Sequence, residues 1–442
     1  MSPVSPFPAE TRILRGTIGA KSFMKKPERG RANSMVYQPK IAIIGGGIAG
    51  LATAYHLQKR HLESVVYEKK PEVGGRFSTL ERDGIFVNRG ALMFCLKLNP
   101  CFSELIQELG IEYKPVEMSR FALQLGDRLI ALDQWSIFKS RLFSLSDFWK
   151  WSRLKRLLRS LDFDFSRPGE RLLQWHGMSL LEFCRREVGF SRTMINYFVQ
   201  PFASFAYVEP EEISADHGLF LLSYSVTPCF SPKRGMGDVA RQLQGLLSGK
   251  IRVGCRINRV RNDDRGRFMV EVEGGEGEER REKRWEGPYD YCIFATGSRH
   301  VRSLMPEIDF EVFAPQTRGV ILETTAPKYR PYDLLIFPKE GNAHGVHGGE
   351  LRHHLDGRSF CGIFLYRPDG ELGAVFENYK ILERVGWSPA ITVMQPGGKI
   401  VDVTTDKKNL FIVGDFFRYP CHESCVFTAK KVAETIVREA KE

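Results

Sequence analysis

Three glycines and one acidic residue have the types and the spacing that binding a dinucleotide requires. Gly45, Gly47 and Gly50 form the pattern GxGxxG, and Glu68 follows eighteen residues after Gly50. In this pattern the first glycine permits a tight turn and the second lets a pyrophosphate approach the backbone. The third lets a helix lie close to a strand, and the acid can accept hydrogen bonds from a ribose diol. We therefore predict a dinucleotide site here.

The neighbouring sequence supplies the elements that would position these residues. The run KIAII before the glycines is apolar and β-branched, which is typical of a buried parallel strand. The run LATAYHLQKR after them has apolar residues at helical spacing, so Ile48 and Ala49 lie where the positive end of a helix would face phosphates. SVVYEKK predicts a second strand that ends at Glu68 and Lys69. The pattern thus predicts an α/β fold with a Rossmann-like unit.

A second glycine-rich turn, KKPEVGGRFST, directly follows the acid and carries Gly75 and Arg76. An arginine on such a turn can bind the same pyrophosphate from its far side. The combined arrangement resembles the flavin amine oxidase superfamily, which includes protoporphyrinogen oxidases, phytoene desaturases and monoamine or polyamine oxidases. The resemblance implies that the dinucleotide is FAD and not NAD.

Other segments extend the resemblance along the chain. DGIFVNRGAL is similar to a family segment that would place Gly90 and Ala91 beside the flavin, although Asn88 stands where the family usually has Asp. SPKRGMGDVARQLQGLL is similar to the family's glycine turn and helix. GKIRVGCRINRV resembles the strand whose backbone contacts the adenine, with Ile257 at the usual valine position. YDYCIFATGS, which contains Ala295, resembles the strand that returns from the nucleotide domain.

The C-terminal segment KNLFIVGDFFRYPCHESCVFTAKKVAETIV resembles the second flavin motif of the family. By that resemblance Asp415, which follows Gly414, would bond the ribityl chain of FAD. The helix start from Glu423 to Val426 would direct amides at the pyrimidine end of the flavin and stabilise its anionic reduced form. The family usually reads Glu-Gly-Ala at this helix start, whereas this chain reads Glu-Ser-Cys.

The resemblance implies a discontinuous FAD-binding domain and an inserted α+β substrate domain. The FAD-binding domain is predicted at 38–115, 228–300 and 400–442, and the substrate domain at 116–227 and 301–399. The charge-rich stretch at 271–287 is predicted to be the solvated tip of a hairpin. Residues 1–37 are rich in Ser, Pro and basic residues, which predicts a disordered arm or an untranslated leader before Met35. An organellar transit peptide is a third, less favoured interpretation.

Composition limits the class of protein, its binding partners and the compartment in which it occurs. The chain has 442 residues, a formal net charge of +11 and a sequence pI near 9.1, which suits an anionic partner or simply a basic surface. Its nine cysteines include no CxxC pair, which favours reduced thiols in a reducing compartment, so we expect a cytoplasmic protein without a metal site. No apolar run reaches the roughly 18 residues of a spanning helix.

One segment of the predicted substrate domain interleaves aromatic and basic residues. The stretch WSIFKSRLFSLSDFWKWSRLKRLLRSL fits an interfacial helix that lies on anionic lipid, which would make the protein a peripheral membrane protein. The alternative, which we prefer at this point, is an ordinary helix pair with its apolar face in the core. A phosphate-binding role toward a nucleic acid lacks recognisable base-stacking elements, so no nucleic acid is expected.

We predict that the protein is an FAD-dependent oxidoreductase that removes hydride from a hydrophobic organic substrate. The aromatic content of 12% suits a protoporphyrinogen-, carotenoid- or isoprenoid-like molecule, with O2 or another acceptor reoxidising the flavin. Family amine oxidases commonly have a lysine near the flavin N5, and the comparable stretch here offers Thr317 and Arg318, which disfavours the alternative of a flavin amine oxidase. Further alternatives are a non-catalytic protein that retains FAD and an NAD-binding dehydrogenase.

The remaining candidate residues have weaker patterns. Phe416, Phe417 and Tyr419 follow the Gly-Asp turn and are predicted to wall the cavity near the flavin, although core packing would explain them as well. The histidines of GNAHGVHGGELRHH are predicted to lie in a mobile loop and not to bind metal. RYPCHESC does not match the cysteine context of covalent flavin attachment, so the FAD is expected to be non-covalent. The sequence indicates no catalytic acid or base.

Overall fold

The computed structural model describes residues 38–167, 169–247, 249–275 and 283–441. The predicted N-terminal arm and the centre of the predicted hairpin tip lie outside these residues. The strands are β1 (Ile41–Ile44), β2 (Ser64–Tyr67), β3 (Thr79–Arg82), β4 (Ile85–Asn88), β5 (Tyr113–Val116), β6 (Phe121–Leu125), β7 (Arg128–Ala131), β8 (Cys229–Pro232), β9 (Ile251–Arg252), β10 (Cys255–Asn262), β11 (Phe268–Gly274), β12 (Lys283–Tyr289), β13 (Tyr291–Phe294), β14 (Thr317–Thr324), β15 (Leu334–Ile336), β16 (Val346–His353), β17 (Ser359–Leu365), β18 (Tyr379–Trp387) and β19 (Leu410–Ile412).

The helices are concentrated between the strands of the two main sheets. They are α1 (Ile48–Gln58), α2 (Pro100–Glu108), α3 (Gln134–Ser140), α4 (Leu145–Ser160), α5 (Glu170–Leu173), α6 (Leu180–Phe183), α7 (Arg192–Met194), α8 (Gln200–Ser204), α9 (Ala215–Ser223), α10 (Gly237–Leu246), α11 (Ser298–Leu304) and α12 (His422–Glu439). Within the residues described, we find no helix that combines the length and the apolarity needed to cross a membrane.

A five-stranded parallel sheet in the order β19-β13-β1-β2-β9 carries the glycine-rich motif. Strand β1 is buried along its whole length, because its alternate side chains enter different cores. Ile41 and Ile43 pack with α1, α10 and α12, whereas Ala42 and Ile44 face the larger core on the other side. The antiparallel sheet β10-β11-β12 completes this half of the molecule. A doubly covered parallel sheet confirms the predicted Rossmann-like α/β fold.

A seven-stranded mixed sheet in the order β18-β14-β17-β16-β15-β6-β7 forms the second half. Its strands come from residues 121–131 and 317–387, and the helices α3 to α9 lie between them in sequence. All its pairings are antiparallel except that of β15 with β6. This sheet belongs to the part of the chain that we predict to be the substrate domain.

The predicted mobile loop of histidines is wrong for most of its length. Val346–His353 is strand β16, which pairs with β15 on one side and β17 on the other. Both ring nitrogens of His353 are hydrogen-bonded, since they lie 2.8 Å from Ser359 Oγ and 2.6 Å from the carbonyl oxygen of Tyr332. Glycines in the segment suggest a loop, but backbone pairing on both sides decides in favour of a strand.

Candidate functional site

A cavity of about 700 Å³ is lined by residues of both main sheets. Most of the predicted cofactor-binding residues line it: Gly45, Gly47, Ile48, Ala49, Glu68, Lys69, Gly75, Arg76, Gly90, Ala91, Ile257, Ala295, Gly414 and Asp415. These residues come from six separate segments of the chain. The fold therefore brings together the motifs that the sequence places far apart.

Each of the three glycines of the first motif is needed for a different structural reason. Gly45 has a φ of +117°, and a Cβ there would lie 2.4 Å from the carbonyl oxygen of Ala295. A Cβ on Gly50 would lie 2.0 Å from the carbonyl oxygen of Gly45, so this glycine permits the close approach of α1 to β1 and does not line the cavity. A Cβ on Gly47 would meet no atom within 4 Å. Gly47 thus leaves open the space at the start of α1, where backbone amides favour an anion.

Glu68 lies at the end of β2 and is held by two backbone amides. Its Oε2 accepts a hydrogen bond of 2.8 Å from the Gly46 amide, and its Oε1 accepts one of 2.8 Å from the Lys70 amide. Only 8% of the residue is exposed. The carboxylate is therefore oriented before any ligand arrives, and its remaining lone pairs are available to a ribose diol.

Arg76 and Asp415, which both line the cavity, form an ion pair. Arg76 Nη1 lies 2.6 Å from Asp415 Oδ2 and also donates to the carbonyl oxygen of Ala390 at 2.5 Å. The Thr392 amide donates to Asp415 at 3.0 Å. Burial opposes ionisation of Asp415, but the Arg76 guanidinium and the Thr392 amide outweigh it and hold the pKa of Asp415 below its usual range.

The segment that supplies Ala390 and Thr392 is a contributor that the sequence does not indicate. Pro389, Ala390, Ile391 and Thr392 all line the cavity, yet they match no motif. They reach it because the ring of Pro389 packs close to Gly297, just after β13, and the carbonyl oxygen of Ala390 accepts a hydrogen bond from Arg76. Only proximity in the folded chain identifies this segment.

Electrostatics explains why Asn88 stands where the family usually has Asp. Its backbone amide donates to Glu350 Oε1, and its Nδ2 donates to Glu350 Oε2 at 3.1 Å. Its Oδ1 accepts from the Met236 amide at 2.7 Å. An aspartate at this position would face the buried Glu350 carboxylate as a like charge, whereas the amide side chain satisfies it. Asn88 therefore joins β4 to strand β16 of the second sheet.

The start of α12 presents different residues to the cavity from those predicted. Cys421, His422 and Cys425 line it, whereas Glu423 and Val426 do not. Val426 is fully buried in the core shared with α1. The prediction chose residues on a face of α12 that does not contact the cavity. The family motif marks where the helix begins but not how the helix is rotated about its axis.

Glu423 caps another helix. Its two carboxylate oxygens accept hydrogen bonds of 2.8 Å from the amides of Cys101 and Phe102, in the first turn of α2. The residue is fully buried. Burial raises the pKa of Glu423 to about 7, although the two amides act in the opposite direction. The side chain thus stabilises the fold around the site and lies outside the cavity.

Of the three predicted aromatic wall residues, only Phe416 lines the cavity. The predictions for Phe417 and Tyr419 are wrong, because both rings pack in the protein core. Phe417 stacks on Phe427 with ring centroids 5.4 Å apart, and Tyr419 stacks on Phe220 at 5.3 Å. A run of aromatic residues after a turn cannot show which of them faces the cavity.

The second sheet and its helices give the cavity an apolar wall. We use this term for Leu92, Met93, Met118, Phe121, Leu132, Phe205 and Ile336, which line the cavity and pack in one hydrophobic cluster. Among the described lining residues the lysines are Lys69 and Lys70, which flank the end of β2 at the opposite wall. Thr317 and Arg318 do not line the cavity.

The residues present fit FAD. The open space at Gly47 lies at the start of α1, the oriented carboxylate of Glu68 is beside it, and the paired Arg76 and Asp415 lie further along the same cavity. A dinucleotide needs this sequence of contacts, which are an anion site, an acceptor for the ribose and polar groups along the linker. The apolar wall lines the same cavity.

Comparisons with known proteins identify the class. The family described as flavin containing amine oxidoreductase matches residues 48–321, and the chain belongs to this family. The family consists of flavin-containing oxidoreductases, the class that the motifs predict. A cyclohexylamine oxidase from Brevibacterium oxydans IH-35A has the same fold, with a TM-score of 0.64 and 16% identity over 92% of this chain and 100% of that chain.

Curated relatives match over shorter stretches. A lysine-specific histone demethylase 1B homolog from Caenorhabditis elegans is 38% identical over 107 residues, which are 24% of this chain and 12% of the relative. Prenylcysteine oxidase 1 from Mus musculus is 27% identical over 243 residues, which are 48% of this chain and 47% of the relative. The chain thus spans less than half the length of these relatives, and it shares with them the class of enzyme but not a demonstrated substrate.

Proposed function

We propose that the protein oxidises a hydrophobic organic substrate of the protoporphyrinogen, carotenoid or isoprenoid kind. The substrate would bind against the apolar wall, where bound FAD would supply a hydride acceptor, and loss of a hydride and a proton would leave a double bond in the substrate. O2 or another acceptor then takes the two electrons. FAD supplies the redox chemistry, while the protein holds the substrate and excludes water from the cavity.

The apolar wall is the observation that carries this proposal. Its residues come from β6, β15 and the segments that follow β4, β5, β7 and α8, and they offer an incoming molecule contact area but no charge. Arg76, a cation that lines the cavity, is already paired with Asp415. An elongated or flat apolar molecule is stabilised by such a surface in proportion to the area it buries.

The test is anaerobic mixing of the purified holoprotein with a substrate panel, followed by the visible absorption of the flavin. We expect bleaching by protoporphyrinogen IX, phytoene or a prenylated thioether, and recovery of the yellow colour when O2 or a quinone is added. Bleaching by putrescine or benzylamine alone would establish the amine oxidase alternative. A flavin that no substrate reduces, and that no acceptor reoxidises after dithionite, would support the FAD-retaining protein.

We also propose that an aromatic and basic surface on α3 and α4 docks on anionic phospholipid. This docking surface consists of Trp135, Phe138, Leu145 and Trp149, which are 64%, 49%, 76% and 59% exposed. Trp135 stacks on Phe138 with centroids 6.2 Å apart. Cations accompany the rings, since Lys139 lies over Trp135 and Arg153 over Trp149. Exposed aromatic rings with adjacent cations suit the headgroup region of a charged bilayer.

The docking surface adjoins the apolar wall. Leu132 lines the cavity, Asp133 caps α3, and the first exposed aromatic residue follows at Trp135. Leu142, between α3 and α4, packs in the same cluster as Phe121 of the apolar wall. The helix pair therefore lies directly outside the cavity, where a substrate could enter from lipid without crossing water.

Sedimentation with vesicles tests the docking. We expect the protein to pellet with vesicles of phosphatidylcholine and phosphatidylglycerol at low salt, and not with phosphatidylcholine alone. The double variant Trp135→Ala/Trp149→Ala should remain in the supernatant. Leu355→Ala, which alters a residue 99% exposed and outside the docking surface, should pellet like the wild type. Equal pelleting of all three proteins would contradict the proposal.

A further inference from the structure

His347 is a buried histidine that neither the fold nor the FAD site uses. It lies in β16, faces the cavity and is only 6% exposed. Neither of its ring nitrogens has a hydrogen-bond partner among the residues that the structure describes. A buried polar atom without a partner is costly and uncommon in folded proteins. His353, in the same strand, has partners for both nitrogens.

The backbone is irregular at this position. In the pairing of β16 with β17, Val346 lies opposite Leu365 and Gly348 lies opposite Phe364, so His347 is the extra residue of a β-bulge. Bulges redirect a side chain from the direction that regular pairing would give it, and they occur often beside active sites. The bulge thus accompanies a side chain that lines the cavity and has no hydrogen-bond partner among the described residues.

The surroundings of His347 place it between the two walls of the cavity. Its ring lies 6.0 Å from Phe205 of the apolar wall and 6.3 Å from Tyr207. Tyr207 also lines the cavity, as does Arg76. Tyr366 packs against the other side of the imidazole at 4.9 Å, but its hydroxyl already bonds to the carbonyl oxygen of Phe337.

The chemistry of the imidazole limits what it can bind. Burial lowers the pKa of His347 to about 4, so the ring is neutral near pH 7 and offers one N–H donor and one acceptor. A neutral ring among Phe205, Tyr207 and Tyr366 cannot compensate a full charge brought out of water. An uncharged group that both donates and accepts, such as a hydroxyl, can satisfy it.

We infer that His347 binds an uncharged hydroxyl-type group of an otherwise apolar substrate and so positions that substrate between the apolar wall and the flavin site. This inference deepens the proposed function, on which it rests for the location of the substrate. It narrows the substrate class to apolar molecules that carry at least one such group. It assigns His347 to substrate positioning and not to the hydride transfer itself.

Binding of matched probes to the holoprotein tests the inference without turnover. Equilibrium dialysis would compare farnesol with farnesyl methyl ether, and 1-dodecanol with dodecyl methyl ether. We expect the wild type to bind at least one alcohol about tenfold more tightly than its ether, because only the alcohol can donate as well as accept. His347→Leu should lose this preference, and His347→Asn should restore part of it.

The histidine in the same strand supplies the matched control. His353→Leu should keep the preference for the alcohol. It breaks two hydrogen bonds, so it should lower the melting temperature of the protein. His347→Leu breaks none and should leave the melting temperature unchanged. The inference is wrong if neither alcohol binds better than its ether to the wild type, or if the preference survives in His347→Leu. Failure of every substrate to bleach the flavin would instead contradict the proposed oxidation and would leave these binding ratios unaffected.

Discussion

The two walls of the cavity are built in different ways. The nucleotide wall uses backbone: Gly45, Gly47 and Gly75 remove side chains, and Glu68 is held by two backbone amides, those of Gly46 and Lys70. The apolar wall uses side chains, which arrive from positions as far apart as Leu92 and Ile336. Backbone geometry tolerates few substitutions, whereas apolar side chains of similar volume can replace one another at small cost. The cofactor is therefore specified more rigidly than the substrate.

Gly47→Val should produce the largest effect on the nucleotide wall. Its Cβ meets nothing in the protein, so the chain should fold, but the valine would occupy the space of the pyrophosphate. We expect FAD affinity to fall by more than about 100-fold, since the steric overlap and the lost amide contacts act together. The flavin-to-protein absorbance ratio and a melting curve of the apoprotein measure the two properties separately.

Gly177→Val is the matched control, because a Cβ there also meets no atom within 4 Å and Gly177 does not line the cavity. It should retain a normal FAD content. Retention of FAD by Gly47→Val would show that the phosphate does not lie at the start of α1.

Glu68→Ala should weaken FAD binding by about 10- to 150-fold, the range of a lost hydrogen bond to a charged group. The carboxylate also holds the amides of Gly46 and Lys70, so some loss of apoprotein stability is expected as well. Titration of the apoprotein with FAD measures the affinity. Glu72→Ala, in the exposed segment that follows, should bind FAD as the wild type does. An equal loss of FAD affinity in both variants would contradict a specific role of Glu68.

Glu423→Gln should change the pH dependence of stability. The folded chain keeps the Glu423 proton up to about pH 7, whereas the unfolded chain releases it near its ordinary value of 4.5. Between these values the unfolded state binds fewer protons, so the free energy of unfolding falls as pH rises, by at most about 1.4 kcal/mol per pH unit. Denaturant unfolding across this range should show a flatter profile for the variant. Glu104→Gln, on the surface of α2, should leave the wild-type slope intact.

Met118→Trp should have the smallest effect of these substitutions. It should change the binding of apolar molecules at the apolar wall and not the binding of FAD. The indole would shorten the space for a long chain, and each excluded methylene costs about 0.8 kcal/mol. We expect the preference for 1-hexadecanol over 1-dodecanol to fall by about tenfold, with unchanged FAD content. A loss of FAD in this variant would show that the two walls are not independent, and Leu355→Trp serves as the surface control.

Much of the nucleotide half is predictable because its motifs are local. The strand before Gly45, the close approach at Gly50 and the turn before Asp415 each follow from a few adjacent residues. The errors occur where a side chain's direction matters: Glu423 and Val426 face away from the cavity, and Phe417 and Tyr419 enter the core. Helix rotation and packing against distant segments set those directions, and no local pattern contains them.

The amino-acid sequence predicts the dinucleotide site, because three glycines and an acid at the end of the next strand act over short distances along the chain, and the family resemblance extends that prediction to FAD. What faces the cofactor depends on the tertiary structure. The Pro389–Thr392 segment, the bond between Asn88 and Glu350, the apolar wall and the bulge at His347 all join residues remote in sequence. Packing and strand pairing create these contacts only when the two sheets come together, and they set the environment in which a substrate would bind.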